Sequence, residues 1–462
     1  MKKHRTARLR ISAALFLITL GSHAAIAAQK SKSQRSDVPM TRPEECLAVY
    51  DGIGVGTALT QLPDGSILAF SQGKFRKSKD GGRSWSMPWG PKYTNKQTPH
   101  LEDGSIVVFK DKTLGYVGRV VSAMPDMGPK PLEGTPEKKK YDEIRDNYKK
   151  ARDVYMMLWR SKDEGRTWEG STRISPQRDM ADPYNQGCLH NALIRAASGR
   201  LLVPSYGNSR VHVYYSDDEG VSWKQSAGVR SFVDHETKRI EIKGSEPSIV
   251  EVEPGRMLMF LRNDANRIFQ SWSSDNGQNW TEGKGTQLAA SRSPAALAKI
   301  PGTNDLMVVW NQASVKELRN DHWRSRLSTA ISRDQGKTWT NFQNIESSIE
   351  GVHIEPEPIH PEWLLNDLNP RQDNLPGYPD YVRNPEKRKK GRLYGSYTYP
   401  CILFHGQTVI IGHADLHWKL PGESGANPQW KGDEEPTCVG RLRVVPVSWL
   451  YGGKMPKGSG PG

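Results

Sequence analysis

The chain has 462 residues, a formal net charge of +14, 35% hydrophobic residues, 43 Gly, 31 Pro and only 4 Cys. That length can bury a large core, and so few cysteines exclude a small disulfide scaffold. The Gly and Pro content is too low for a collagen-like or low-complexity chain and suits a turn-rich β protein.

Residues 1–28 read as a secretory signal peptide. Lys2, Lys3, Arg5, Arg8 and Arg10 precede the short apolar run Ile11 to Leu20, and Ala25-Ile26-Ala27 supplies a small-residue cleavage signal. The run has about half the length a bilayer span needs, and no later segment is apolar for long enough. Export to the periplasm or the exterior is expected. Without those five cations the mature chain carries about +9, read as a scattered, solvated surface; no nucleic-acid module is present. A linker, 29–45, leads into a folded region expected over 46–451, and the Gly/Pro/Lys-rich tail 452–462 is expected to be disordered.

Five segments repeat one pattern: Ser78-Lys-Asp80-Gly-Gly82-Arg-Ser-Trp85, Ser161-Lys-Asp163-Glu-Gly165-Arg-Thr-Trp168, Ser216-Asp-Asp218-Glu-Gly220-Val-Ser-Trp223, Ser273-Ser-Asp275-Asn-Gly277-Gln-Asn-Trp280 and Ser332-Arg-Asp334-Gln-Gly336-Lys-Thr-Trp339. Each reads as a turn in which Asp caps backbone N–H groups, Gly supplies a positive φ, and Trp packs against the next sheet. A turn device repeated at a regular period marks repeat architecture, so these Asp and Trp residues are structural. Between the boxes, short apolar runs flank Asp64-Gly65, Asp103-Gly104, Ser198-Gly199, Pro254-Gly255, Pro301-Gly302 and His405-Gly406, which read as hairpins. Six hairpins with five boxes predict an all-β fold, one six-bladed β-propeller.

Two insertions break the spacing. Residues 124–150 hold four prolines and a charged stretch, Tyr141 to Arg145, that forms a short helix; residues 341–394 are Pro-rich and end in Arg388-Lys389-Lys390. Both are expected as loops. Closure of a propeller brings its ends together, so a Cys46–Cys438 disulfide is expected, with Cys188 and Cys401 as buried thiols. No metal-ligand spacing or phosphate loop calls for a cofactor. A monomer is expected.

The hairpin glycines act as a ruler for the channel mouth. Nine residues before Gly199, Gly255 and Gly406 stand His190, Glu246 and Tyr397; seven after Gly255 and Gly406 stand Arg262 and His413. Equal offsets from equivalent turns put these side chains at one level, opposite the hairpins. The same count gives Ser293 in blade five and Gly56 in blade one.

The five boxes resemble the Asp-boxes of sialidases (neuraminidases), and residues 50–450 resemble the bacterial sialidase-like propellers. The segment from Glu246-Pro-Ser to Leu-Arg262 resembles the one bearing that family's catalytic glutamate and a carboxylate-binding arginine. Arg324-Ser-Arg resembles the segment of another such arginine, and Tyr397-Thr-Tyr-Pro400 the segment of the tyrosine nucleophile. The resemblance implies Glu246 as base, Tyr397 as nucleophile, and Arg262 with Arg324 clamping the carboxylate of a terminal acidic sugar, sialic acid, on a glycan. A neutral phenol suits a substrate whose own carboxylate repels a carboxylate nucleophile. The sequence departs from the family in blade one. Ile53-Gly-Val-Gly-Thr57 lacks the third arginine, and Phe70 to Lys77 lacks the acid/base aspartate. Asp51 and Asp111 are the nearest substitutes as acid, and His190 or His413 are alternatives. The readings left open are an exo-α-sialidase, a glycosidase or lyase acting on another acidic sugar such as a uronic acid, and a glycan-binding propeller without catalysis.

Overall fold

A computed structural model of the protein describes residues 45–53, 56–94, 104–121, 127–129, 131–151, 154–175, 191–207, 210–235, 238–263, 265–313, 324–347, 396–419 and 435–455. Among the described residues, short β-branched and aliphatic runs form strands β1 to β26 in chain order; six mainly antiparallel sheets stand around an axis, and β14 with β15 makes a separate two-stranded sheet. Blade one is β2 (Ala58–Gln61), β3 (Ile67–Ser71) and β4 (Lys74–Ser78). Blade two is β6 (Gly104–Val108), β7 (Leu114–Val121), β8 (Val154–Ser161) and β9 (Thr167–Arg173), with β5 (Lys92–Tyr93) parallel on β9. Blade three is β10 (Ile194–Arg195), β11 (Leu201–Tyr206), β12 (Val211–Ser216) and β13 (Lys224–Gln225), followed by a side hairpin, β14 (Ser231–His235) and β15 (Lys238–Ile242). Blade four is β16 (Ser245–Glu253), β17 (Arg256–Arg262), β18 (Arg267–Ser273) and β19 (Lys284–Ala289). Blade five is β20 (Ala296–Lys299), β21 (Leu306–Trp310), β22 (Arg326–Ser332) and β23 (Thr340–Ser347). Blade six is β24 (Ser396–His405), β25 (Thr408–Lys419) and β26 (Glu435–Pro446), and β1 (Ala48–Asp51) is its outermost strand, Ala48 opposite Val444 and Asp51 opposite Arg441. The expected six-bladed propeller is what forms. β1 closes the ring.

The core lies between blades. Apolar clusters fill each of the six clefts; Phe70, Phe75, Trp159 and Trp168 pack between blades one and two, and Met307, Ile331, Ile411 and Leu450 between five and six. At the centre Asn191 joins innermost strands: its N–H donates to Gly104 O (3.0 Å), its Oδ1 accepts from Leu59 N (3.1 Å), and its Nδ2 donates to Ile402 O (3.2 Å).

The boxes are structural turns. In all five the Ser Oγ accepts the Gly N–H at 2.6–3.0 Å, and the Asp Oδ1 accepts a backbone N–H four residues on. Partial burial opposes ionisation of Asp80 and Asp218, but hydrogen bonds from Ser84 and Ser222 outweigh it and hold each at about 2. Each box leans on the preceding blade, not the next: Trp168 stacks on Phe75 of blade one (5.6 Å), and Trp339 meets Phe260 of blade four (5.5 Å). The glycine is required twice over at Gly277, where φ is +83° and a Cβ would lie 2.3 Å from Leu202 of blade three.

Four further expectations change. Gly104 is not a hairpin-turn residue: it opens β6, a Cβ there would strike the Tyr116 hydroxyl, and the β6–β7 hairpin turns through Asp111 and Lys112, while Asp103 lies outside the described residues. The helix in the first insertion is longer than Tyr141–Arg145 and spans α1 (Pro136–Ala151). The second insertion begins later, because residues 340–347 form the outer strand β23. No Cys46–Cys438 bond forms, since Cys46 lies beside Val444 and its free thiol donates to Ala48 O (3.2 Å), whereas Cys438 pairs with Leu416 further along β26. Cys401 is a buried thiol, as expected. Cys188, the signal peptide and the tail from 456 lie outside the described residues.

Candidate active site

The mouth is built by one backbone device used twice. The ladder of β16 breaks between Ser245 and Ser248, and that of β24 between Thr398 and Cys401. The skipped dipeptides are Glu246-Pro247 and Tyr399-Pro400. Both residues before proline adopt a positive φ, +42° at Glu246 and +54° at Tyr399, a conformation side-chain-bearing residues avoid and one that persists only where the surroundings hold it. Each bulge takes its residue out of strand alternation and turns it toward the other.

The Tyr399 hydroxyl donates to Glu246 Oε1 (3.2 Å), while Glu246 Oε2 takes the guanidinium of Arg262 (2.5 Å). Arg262 stands opposite Ser245 across the ladder, so the same bulge that turns Glu246 sets its ion-pair partner beside it. Arg262 also hydrogen-bonds the Tyr399 oxygen. Burial, then the Glu246 charge, pushes the Tyr399 phenol up, and Arg262 and Arg324 pull it back in part. Arg324 closes the group from blade five: its guanidinium donates to Thr398 Oγ1 (2.5 Å) and to Arg292 O (3.0 Å) and lies 5.9 Å from the centre of the Tyr399 ring. Burial and the neighbouring charge of Arg262 lower it to about 10.

Glu246, Arg262 and Arg324 therefore come together, and Tyr397 does not join them. Its ring is fully buried in the cleft between blades five and six, edge-on to His413 (5.7 Å), and its hydroxyl has no hydrogen-bond partner among the described residues. The tyrosine on the glutamate is Tyr399. The nine-residue count fails by one residue for each of two reasons: a second irregularity lengthens the arm in blade four between Glu251 and Glu253, and the glycine is the second residue of the Pro254-Gly255 turn but the first of Gly406-Gln407. The signal that finds Tyr399 is the shared Xaa-Pro: Glu246-Pro247 matches Tyr399-Pro400.

His413 is likewise sealed in that cleft, its Nε2 3.3 Å from Glu346 Oε1. Glu346 also pairs with Arg443, and Arg441 with Asp415 (2.8 Å). The bulge shifts the register so that Ala414, opposite Thr398, occupies the place Arg262 holds opposite Ser245. Asp51, on the outermost strand of blade six, lies 3.7 Å from Arg443 and 3.9 Å from Arg441, three strands away from the one bearing Tyr399. Asp111 accepts from Thr113 in the blade-two hairpin, on the face opposite the mouth. Neither carboxylate reaches the group. Blade one turns tightly at the mouth through Gln72-Gly73, Ser71 pairing with Lys74, so β3 and β4 are joined by two residues there. His190 lies outside the described residues. Among the described residues no group of three or more His, Cys, Asp or Glu side chains is arranged to hold a metal, and no helix is long and apolar enough to cross a membrane.

Similar proteins agree with this geometry at the level of fold. A sialidase of Bacteroides fragilis is 26% identical over 200 residues, 40% of this chain and 33% of that protein. An anhydrosialidase of Macrobdella decora is 27% identical over 136 residues, 28% of this chain and 16% of that one. The chain thus matches a third or less of these relatives' lengths. Among solved structures, a leech intramolecular trans-sialidase superposes with a TM-score of 0.51 at 15% identity, covering 88% of this chain and 69% of the other. The Hadza microbial sialidase Hz136 superposes at 0.50 and 15% identity, covering 88% and 67%. At such identities the likeness is one of fold. A family model described as a BNR repeat-like domain matches residues 143–410, more than half of the chain. With its boxes, its closed ring and these neighbours, the chain belongs to the BNR repeat-like family of sialidase-like propellers.

Proposed function

We propose that the protein is an exported glycosidase resembling exo-α-sialidases, which cleaves a terminal carboxylated sugar from a glycan. The observation that carries the reading is the hydrogen bond from the Tyr399 hydroxyl to Glu246. Glu246 takes the phenolic proton as the Tyr399 oxygen bonds to the anomeric carbon and the glycosidic bond breaks, its electron pair leaving with the aglycone oxygen. Water then attacks the anomeric carbon as the bond to the Tyr399 oxygen breaks; the phenolate recovers its proton from Glu246, and the proton lost by the water balances the one the departed aglycone oxygen takes up from solvent. A glutamate beside the phenol is needed because burial holds the Tyr399 proton tightly. Arg262 steadies the base, and the arginines face the substrate carboxylate.

A second reading rests on blade one. The tight Gln72-Gly73 turn offers no carboxylic acid to protonate a leaving group. A lyase acting on a uronic acid needs no separate acid there: Tyr399, backed by Glu246, removes the proton α to the carboxylate, and elimination expels the glycosidic oxygen, which takes up a proton.

The test is turnover of an α-sialoside with an activated chromogenic leaving group, which needs little acid assistance, by the wild type, Tyr399→Phe, Glu246→Ala and Tyr397→Phe. The sialidase reading expects release that the first two variants abolish and Tyr397→Phe keeps. No release by the wild type, with unsaturated products from a uronic-acid glycan, replaces it with the lyase. Activity that survives Tyr399→Phe overturns both.

A further inference from the structure

Tyr399 owes its place to a bulge with a positive φ, and buried side chains hold that bulge from outside its own sheet. β24 is the innermost strand of blade six, so one edge pairs with β25 and the other faces the neighbouring blades. In an unbroken strand successive backbone groups point to opposite edges, so Tyr397 and Ile402, five residues apart, would present their carbonyls on opposite sides. They do not. Between Thr398 and Cys401 the ladder slips by one residue, and both carbonyls reach the inner edge, each onto an asparagine. Asn311 Nδ2 donates to Tyr397 O (2.8 Å), and Asn191 Nδ2 donates to Ile402 O (3.2 Å).

Asn311 is the more deeply set of the two. It is wholly buried at the mouth end of blade five, just after β21; its Nδ2 also donates to Arg326 O (2.8 Å), and its own carbonyl accepts from Ser291 N (3.1 Å). One amide thus ties the start of β22 to β24, and Tyr397 N closes the clasp on Arg324 O (2.9 Å). With both Nδ2 hydrogens engaged, the amide has one orientation only, since its oxygen would meet two carbonyl oxygens if it were turned over. Its Oδ1 is buried and meets no partner among the described residues, a cost that a residue kept for stability alone does not explain.

We infer that Asn311 is a positioning residue for Tyr399: it fixes the strand just ahead of the bulge, so that the phenol points across the mouth to Glu246, and Asn191 pins the strand on the far side. This rests on the reading above that Tyr399 reacts with the substrate, and adds what holds it there. Asn311 acts through the backbone of Tyr397, not on the reacting atoms.

The experiment is steady-state turnover of the activated α-sialoside and of a uronic-acid glycan by the full chain, with amide hydrogen exchange across β24. Asn311→Ala removes the donor. Its kcat should fall about tenfold to a hundredfold with KM within about threefold, the scale for a misplaced reacting group, and the β24 amides should exchange faster. Asn191→Ala should do the same more weakly. Gly277→Ala, remote from the mouth, should keep the wild-type kcat even where it melts as low as Asn311→Ala; a merely structural role would lower both alike. Should Asn311→Ala fail to fold, Asn311→Asp is read in its place. A carboxyl set against two carbonyls donates only when protonated, so its kcat relative to the wild type should rise as pH falls. Wild-type kcat in Asn311→Ala, a kcat loss that Gly277→Ala matches at equal melting, or a flat pH ratio for Asn311→Asp overturns the role and leaves the Tyr399 reading standing. A wild type inert on both substrates overturns that reading, and the role with it.

Discussion

Tyr397 and Tyr399 stand two residues apart on one strand, and each has a glutamate–arginine pair close by. At the mouth, Glu246 and Arg262 keep 10% and 17% of their side-chain surface exposed, and the Tyr399 hydroxyl bonds to the glutamate. In the neighbouring cleft Glu346 and Arg443 keep none, and the Tyr397 hydroxyl meets no partner among the described residues. The same three residue types are therefore reachable in one place and sealed in the other. The bulge at Tyr399-Pro400 makes the difference, because it takes one tyrosine out of the alternation that buries the other. Residue type is shared; access is not.

Five measurements break or sharpen this contrast. The largest effect is expected in catalysis: Tyr399→Phe should lower turnover by about a thousandfold or more, the scale expected for loss of a nucleophile, whereas Tyr397→Phe should stay within about threefold by the same assay. Next is the sealed pair. Glu346→Ala removes the nearer carboxylate of the fully buried Arg443 and leaves it the half-exposed Asp51 at 3.7 Å, so it should destabilise the fold by about 3–5 kcal/mol in urea unfolding; Glu246→Gln at the mouth should lose activity with little change in stability.

The sealed glutamate also predicts a pH dependence. Burial raises the Glu346 carboxyl, but the hydrogen bond from His413 and the charges of His413, Arg443 and Arg441 outweigh it and hold it below its ordinary value. Its folded value is thus depressed, so its stabilisation is complete above about pH 4.3, the ordinary glutamate value, and is lost as pH falls through the lower folded value. Thermal melts from pH 6 to pH 3 should fall less steeply for Glu346→Gln than for the wild type. Smaller again is Gly277→Ala, remote from both tyrosines, which places a Cβ against Leu202 at a positive φ and should destabilise by about 1–2 kcal/mol. Smallest is the stability of Tyr397→Phe: removing a buried hydroxyl that has no partner should leave stability unchanged or raise it by up to about 1 kcal/mol.

The boxes and the blade count were legible because they are local. Ser, Asp, Gly and Trp within eight residues make their own hydrogen bonds, and the spacing of such turns counts the sheets. Glu246 and Arg262 were legible because they flank one hairpin whose turn is marked by Gly255. Tyr399 was lost to strand counting, which assumes an unbroken ladder; the two bulges violate it, and only the matched prolines betray them. The sealed position of His413 follows from the same bulge, which moves Ala414 into the register expected for it.

The seating of β1 on β26 has a consequence in time. Asp51 faces Arg441 across that ladder, so the first strand of the ring waits, during synthesis, for nearly the last. Until β26 exists, blade six has an open edge and the cleft filled by Ile53, Leu59, Ile410 and Leu442 lacks the part of its wall that Leu442 and Val444 supply. Pairings so distant in sequence form slowly, and the exposed edge invites contact with other chains meanwhile. Maturation of this protein is therefore paced by its final clasp, and any change that weakens the four-residue β1 should show first as poor yield.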